Sequence, residues 1–171
     1  EKPFTLAKAR NDNIRDLVIN EQGQFWFGLW GEGVLFWDPK TDQTQLLLRE
    51  VLRQKVGDAV QAFYLQDRIL WVGTRYSGLF QITVSTGAIR HVSEDQSSGM
   101  TLPSQDVQCV EQGPGDSILI CTEQGLVVYQ PQTATQQLWD GRSGLLTQNI
   151  VGAHTDDDSN VWLLSAKGLT L

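Results

Sequence analysis

The chain has few cysteines, few histidines and few basic residues, and it contains no long apolar run. Its 171 residues include two cysteines, two histidines and 13 Lys and Arg against 20 Asp and Glu. The resulting net charge of -7 argues against a surface that binds nucleic-acid phosphates. No segment reaches the roughly 18 to 20 apolar residues that a membrane helix requires, and the first residues lack the apolar stretch of a signal peptide.

Sequence motifs for catalysis and metal binding are also missing. There is neither a GxSxG nucleophile elbow nor a phosphate-binding loop, and His91 and His154 share no metal or triad spacing. The acidic run 156–158 lacks the alternating carboxylates of a calcium loop and falls in a polar turn. We therefore expect a noncatalytic protein without a metal or cofactor.

The two cysteines, Cys109 and Cys121, lie twelve residues apart. A hairpin that turns around residues 113–116 would place them roughly opposite each other. Two buried thiols are favoured over a cross-strand disulfide, because few antiparallel pairs have suitable geometry.

The most informative feature is a recurring strand that ends before a glycine. Four segments share it: FWFGLWGEGVLFW, LWVGTRYSGLF, ILICTEQGLVVY and VWLLSAKGLTL. Their anchor residues are 45, 48 and 43 positions apart, and their glycines 45, 47 and 43. The anchors are Trp26, Trp71, Leu119 and Trp162, and the glycines are Gly33, Gly78, Gly125 and Gly168. Such a period indicates a repeat protein whose units are small sheets.

Each repeat is interpreted as four short strands, a to d. An Asp or Asn precedes strand a, a polar turn separates a from b, and the glycine ends the turn between b and c. The predicted repeats span about 12–57, 58–105, 106–148 and 149–171. Residues 46–54, LLLREVLRQ, could form a helical turn, but a strand followed by a loop fits the repeat better.

Four antiparallel strands per unit with a Trp and Gly signature predict an all-β protein, a β-propeller with about four blades. Trp26, Trp71 and Trp162 recur at one strand position and are expected to pack blade against blade. Residues 3–9 could supply an outer strand that completes the fourth blade and closes a small ring. Alternatively, the chain is a piece of a longer propeller, in which case its exposed apolar faces would favour association with a second copy.

The segments LPSQDVQCV with ILICTEQGLVVY, and QDRILWVGTRYSGLF, resemble the two-component regulator propeller repeat over nearly the whole chain. The third repeat departs from that pattern at Leu119 and Cys121, and the fourth reads LLSAKGL. The resemblance implies the extracytoplasmic sensor part of an inner-membrane protein. There it would detect a small molecule, often a carbohydrate, and signal to an attached histidine kinase or diguanylate cyclase.

In a propeller the loops before strand a and the turns between b and c lie on one face. We take that face as the candidate binding surface, because aromatic rings beside carboxylates and a guanidinium suit a polar ring such as a sugar. Its candidate residues are Asp12, Asp58, Asp106, Asn149, Trp30, Glu32, Arg75, Tyr76, Glu123, Gln124 and Lys167. The alternative for the acidic residues before strand a is that they bond their own turns.

Three functions are therefore considered. The first is a noncatalytic ligand-sensing module, with a homodimer as a further partner to consider. The second is a protein-interaction scaffold like WD-repeat propellers. The third is a lyase or hydrolase that uses the carboxylates of the channel mouth.

Overall fold

The computed structural model describes residues 13–92 and 99–171, which form four antiparallel sheets in chain order. Sheet 1 contains β1 (Ile14–Ile19), β2 (Phe25–Leu29), β3 (Gly33–Asp38) and β4 (Gln43–Leu47). Sheet 2 contains β5 (Val60–Gln66), β6 (Ile69–Thr74), β7 (Leu79–Thr83) and β8 (Ile89–His91). Sheet 3 contains β9 (Val107–Gln112), β10 (Ile118–Thr122), β11 (Gly125–Gln130) and β12 (Thr135–Trp139). Sheet 4 contains β13 (Ile150–Thr155), β14 (Val161–Ser165) and β15 (Gly168–Thr170).

The sheets are arranged as propeller blades. Strands pair in sequence order within each sheet, and the first strands lie side by side, β1 against β5, β5 against β9 and β9 against β13. The predicted all-β propeller is therefore confirmed, with three described strands in its fourth sheet. The predicted outer strand at residues 3–9 and Asp12 lie outside the described residues.

The repeated glycine ends the turn before the third strand of each sheet, as the sequence predicts. All four of these glycines have positive φ, between 75° at Gly78 and 135° at Gly125. At Gly33 a Cβ atom would also collide with the Leu47 carbonyl oxygen. Glycine is therefore required there both for the reversal of the chain and for the space it leaves.

Neighbouring sheets interlock through a second glycine, two positions after the tryptophan anchor. A Cβ atom at Gly28 would lie 2.6 Å from Cγ1 of Val60, and one at Gly73 would lie 2.6 Å from Cγ1 of Val107. Each valine is the first residue of the next sheet's inner strand. The absence of a side chain on one sheet thus makes room for a branched side chain from the next.

The anchor residues form the interfaces on which this interlock depends. Trp26 is 1% exposed and packs between sheets 1 and 2, Trp71 is 2% exposed between sheets 2 and 3, and Leu119 is buried between sheets 3 and 4. Trp162, in the last sheet, is half-buried, and its indole nitrogen donates to Asp156 Oδ2 at 2.8 Å. Blade-to-blade packing by Trp26 and Trp71 agrees with the prediction, whereas Trp162 belongs to none of the described clusters between sheets.

The two cysteines form a disulfide, so the expectation of buried thiols is wrong. Cys109 on β9 lies directly opposite Cys121 on β10, and their Cα atoms are 4.9 Å apart. That separation falls within the range that a disulfide spans. Cys121 stands where the first two sheets have Gly28 and Gly73, so the third sheet carries a cross-link at the position of the interlock.

One helical turn follows β4, which corrects the predicted loop. Helix α1 (Arg49–Leu52) begins after Leu48, and Leu48 and Leu52 are both buried in the core between sheets 1 and 2. Since residues four apart share a helix face, this turn buries two leucines that an extended loop would separate. No helix among the described residues is long and apolar enough to cross a bilayer.

We predict that Gly73→Ala lowers the free energy of unfolding by about 1–3 kcal/mol, because the added methyl group overpacks the interface at Val107. The matched control is Gly152→Ala, whose Cβ atom would lie at an ordinary 3.5 Å from Leu164 Cβ. The control should change stability by less than about 0.5 kcal/mol. Urea unfolding of the two variants would contradict the interlock if they were equally stable.

Candidate functional site

The loops that precede the inner strands meet the turns between the second and third strands on one face. Trp30 N donates to the Asn13 carbonyl at 3.0 Å, and Gly78 N donates to the Gln105 carbonyl at 3.0 Å. In sheet 4, Lys167 Nζ donates to the Leu146 carbonyl at 3.3 Å. The structure therefore places the described candidate residues on a common face.

Asp58 is a structural residue of that face. Its side chain is 1% exposed and accepts from Ala59 N at 2.9 Å, Tyr76 N at 2.9 Å and Ser77 Oγ at 2.6 Å. These bonds attach the turn that carries Tyr76 to the loop before β5. The bond from Ala59 N fits the alternative in which the acid bonds its own turn, but the bonds from Tyr76 and Ser77 come from a different turn of sheet 2.

Glu32 is likewise engaged within the protein. It is 7% exposed, and its carboxylate pairs with Arg49 at 2.7 Å and with Arg53 at 3.1 Å. The two arginines come from α1 and from the residue that follows it. Glu32 thus holds the helical turn against sheet 1, which leaves little of its carboxylate for a ligand.

Trp30, Arg75 and Tyr76 come together with Arg15, a residue that the sequence did not single out. The guanidinium carbons of Arg15 and Arg75 lie 5.1 and 5.5 Å from the centroid of the Trp30 ring. Arg75 also lies 4.9 Å from the centroid of Tyr76, which is 38% exposed. We call these four residues the Arg–aromatic cluster. All three contacts are within the range of cation–π attraction.

Two further carboxylates extend the face into sheet 3. Asp106 Oδ1 accepts from Gln61 Nε2 at 2.6 Å, and Glu123 Oε1 accepts from Ser104 Oγ at 3.1 Å. Burial raises the pKa of Asp106, the bond from Gln61 opposes this shift, and the nearby charge of Glu123 adds to it. The charge of Arg75 also acts on Asp106, so this carboxylate lies within electrostatic reach of the Arg–aromatic cluster.

The remaining candidates sit toward sheet 4. Asn149 Oδ1 accepts from Gln108 Nε2 at 3.0 Å, which repeats the contact between Gln61 and Asp106 one sheet further on. Gln124 N is bonded to Thr122 Oγ1 at 3.2 Å within its own turn. Lys167 donates to the Leu146 carbonyl and, among the described residues, forms no hydrogen bond or ion pair with the cluster. The sequence therefore grouped more residues than the structure brings together.

A separate groove of about 920 Å³ lies between sheets 1 and 2 at the opposite ends of their strands. Its rim is polar and includes Asn20, Gln24 and Asp38, which are joined by hydrogen bonds of 2.9 and 3.0 Å. Within residues 13–92 and 99–171, no group of three or more His, Cys, Asp and Glu side chains is placed to hold a metal ion.

Comparison with known proteins identifies the fold through solved structures. No family model matches the chain, and no curated protein matches it. The extracellular domain of the hybrid two-component system BT4673 from B. thetaiotaomicron aligns with 94% of the chain at 22% identity and a TM-score of 0.76. That of BT3049 from the same organism aligns with 94% of the chain at 16% identity and a TM-score of 0.70. The WD40 propeller domain of Doa1 covers 94% of the chain and 50% of its own length, at 14% identity and a TM-score of 0.68.

The chain is a β-propeller. At these identities the likeness shows the fold, and it agrees with the resemblance of the repeats to sensor propellers of two-component proteins. The chain spans about a fifth of the two B. thetaiotaomicron domains, 21% and 20% of their lengths.

We predict that Asp58→Ala lowers the free energy of unfolding by at least about 2 kcal/mol. The substitution leaves two buried backbone N–H groups and a hydroxyl group without their hydrogen-bond acceptor. Glu123→Ala is the matched control, since it removes an exposed carboxylate that accepts one hydrogen bond. The control should stay within about 0.5 kcal/mol of the parent protein. Thermal unfolding that finds Asp58→Ala as stable as the control would show that Asp58 is not structural.

Proposed function

We propose that this chain is a noncatalytic, ligand-sensing propeller segment in the extracytoplasmic part of a bacterial two-component signalling protein. The observation that carries the proposal is the match of 94% of the chain to an extracellular domain of a hybrid two-component system, at a TM-score of 0.76. The ligand would bind at the Arg–aromatic cluster. It would be a small polar molecule such as a sugar.

The disulfide supports the extracytoplasmic location. Disulfides persist in oxidising compartments such as the periplasm and are rare in the bacterial cytosol. Cys109 and Cys121 are both buried, and they join the first two strands of sheet 3 beneath the proposed ligand-binding face. A cross-link at that position suits a domain that works outside the cytoplasm.

The free face of sheet 4 supports a place in a larger propeller. Val151, Leu164 and Leu169 are 41%, 50% and 63% exposed, although the corresponding faces of the earlier sheets are covered by the next sheet. We propose that a further sheet of the same kind covers this face in the intact protein, with the signalling domain elsewhere in it. A second copy of the chain is the alternative cover.

An interaction scaffold remains the second candidate, because the WD40 domain of Doa1 shares the fold. An enzyme is the least supported of the three functions. The most deeply buried candidate carboxylate, Asp58, is fully engaged with three donors, and Asp106 and Glu123 each accept a side-chain hydrogen bond.

Binding at the proposed face is tested by thermal unfolding of the chain with a panel of mono- and disaccharides. A ligand at about 100 times its Kd should stabilise the folded state by about 2.7 kcal/mol. We expect Tyr76→Ala to abolish this stabilisation, because the variant removes the ring that Arg75 contacts. The matched control is Tyr64→Ala, which changes a partly buried tyrosine of β5 that is not among the candidate residues. Equal stabilisation of both variants would contradict the proposed location.

A further inference from the structure

We infer that the Arg–aromatic cluster recognises an oxyanion group of its ligand, a carboxylate or a phosphate, through the guanidinium groups of Arg15 and Arg75. The inference rests on the proposed function, because it names the chemistry of the ligand at that same face. It also changes the way in which the aromatic rings would contribute. In a simple stacking site, Trp30 and Tyr76 would contact the ligand directly.

The aromatic rings are already occupied by guanidinium groups. Arg15 and Arg75 both lie within 5.5 Å of the Trp30 centroid, and Arg75 is also 4.9 Å from the Tyr76 centroid. A planar guanidinium that contacts an aromatic ring keeps the N–H groups at its edge available for hydrogen bonds. Trp30 and Tyr76 therefore position the two arginines and offer less open ring surface to a sugar.

Both arginines have hydrogen-bond donors to offer. Within residues 13–92 and 99–171, the side chains of Arg15 and Arg75 form no hydrogen bond or ion pair. By contrast, Arg49 and Arg53 on the same side of the molecule are both paired with Glu32. Arg15 is exposed and Arg75 is half-exposed, so a ligand can reach both. Guanidinium groups bind carboxylates and phosphates through paired N–H donors.

Basic residues are concentrated around the cluster although the chain as a whole is acidic. Five of the 13 basic residues lie in or beside the cluster and α1, namely Arg15, Arg49, Arg53, Lys55 and Arg75. The carboxylates on the same side are Glu32, Glu50 and Asp58, with Asp106 and Glu123 in sheet 3, and Glu32 and Asp58 are buried in internal contacts. The five basic residues balance these five carboxylates, so the net charge of -7 is carried by other parts of the chain.

The carboxylates of sheet 3 fit the rest of such a ligand. Asp106 and Glu123 each accept one side-chain hydrogen bond, and a carboxylate has further lone pairs that accept from hydroxyl groups. Because they lie on the sheet 3 side of Arg75, they would face a different part of the ligand from the oxyanion. A hydroxylated acid meets both requirements.

The test is a calorimetric titration of the chain with D-glucose, D-glucuronate, D-glucose 6-phosphate and D-glucosamine. These probes share a ring and differ in the charged group. We expect D-glucuronate or D-glucose 6-phosphate to bind at least about tenfold more tightly than D-glucose, as a charge-assisted pair predicts. Tighter binding of D-glucuronate would identify the oxyanion as a carboxylate, and tighter binding of D-glucose 6-phosphate would identify it as a phosphate. D-glucosamine should bind no better than D-glucose.

Three variants assign the effect to the cluster. Arg75→Gln and Arg15→Gln should each remove the preference for the acidic probe, and Arg75→Lys should restore only part of it, because an ammonium lacks the paired donors. Arg68→Gln is the matched control, since Arg68 is an exposed arginine in the turn between β5 and β6 at the opposite ends of the strands. Unchanged amide NMR spectra away from the substitution would show that each variant is folded.

The outcomes separate this inference from the proposed function. If D-glucose binds as tightly as the acids and Arg75→Gln has no effect, while Tyr76→Ala abolishes binding, the oxyanion inference is wrong and the binding face stands. If no probe binds, or if binding is unaffected by every variant of the cluster, both proposals are overturned. A preference for the acids that only the two cluster arginines remove supports both.

Discussion

The sheets of this propeller approach each other most closely where a glycine of one sheet faces a valine of the next. Gly28 receives Val60, and Gly73 receives Val107, with no room for a methyl group at either glycine. Close packing of this kind determines the distance and register between neighbouring sheets, because interiors tolerate little change in volume. The tryptophan anchors lie two residues before these glycines on the same strands and fill the interface there.

The loops of the candidate face depend on that register. Trp30 forms a backbone bridge with Ala59, Gln61 reaches Asp106, and Gln108 reaches Asn149, so each contact joins one sheet to the next. Arg15 and Arg75 contact the same indole ring only because sheets 1 and 2 are held at this spacing. Residues from separate repeats thereby form one surface, although no single repeat contains the whole cluster.

The sequence predicts the parts of this arrangement that recur. The glycines before the third strands and the anchors Trp26 and Trp71 can be predicted from the repeat spacing, because every repeat makes the same chain reversal and packs against its neighbour in the same way. The sequence does not predict which candidate side chains form contacts within the protein and are therefore not available to a ligand. Glu32 forms ion pairs with arginines 17 and 21 positions away, and Asp58 accepts hydrogen bonds from residues 18 and 19 positions away. No local sequence pattern encodes these partners.

Features that occur in only one repeat are the least predictable. The disulfide replaces a glycine interlock in the third sheet alone, and α1 follows the outer strand of the first sheet. Arg15 occupies the position of the inner strand at which the next two sheets have Gln61 and Gln108. An alignment of the inner strands would therefore have shown Arg15 as the charged residue at an otherwise neutral position.

A double-mutant cycle on Gly73 and Val107 tests the interlock most directly. Unfolding free energies would be measured for the parent chain, Gly73→Ala, Val107→Ala and the double variant. The account predicts that Gly73→Ala is clearly less destabilising in the Val107→Ala background, because the Cγ1 atom 2.6 Å from the new methyl group is gone. Strictly additive losses would contradict the claim that these two residues set the spacing of the sheets.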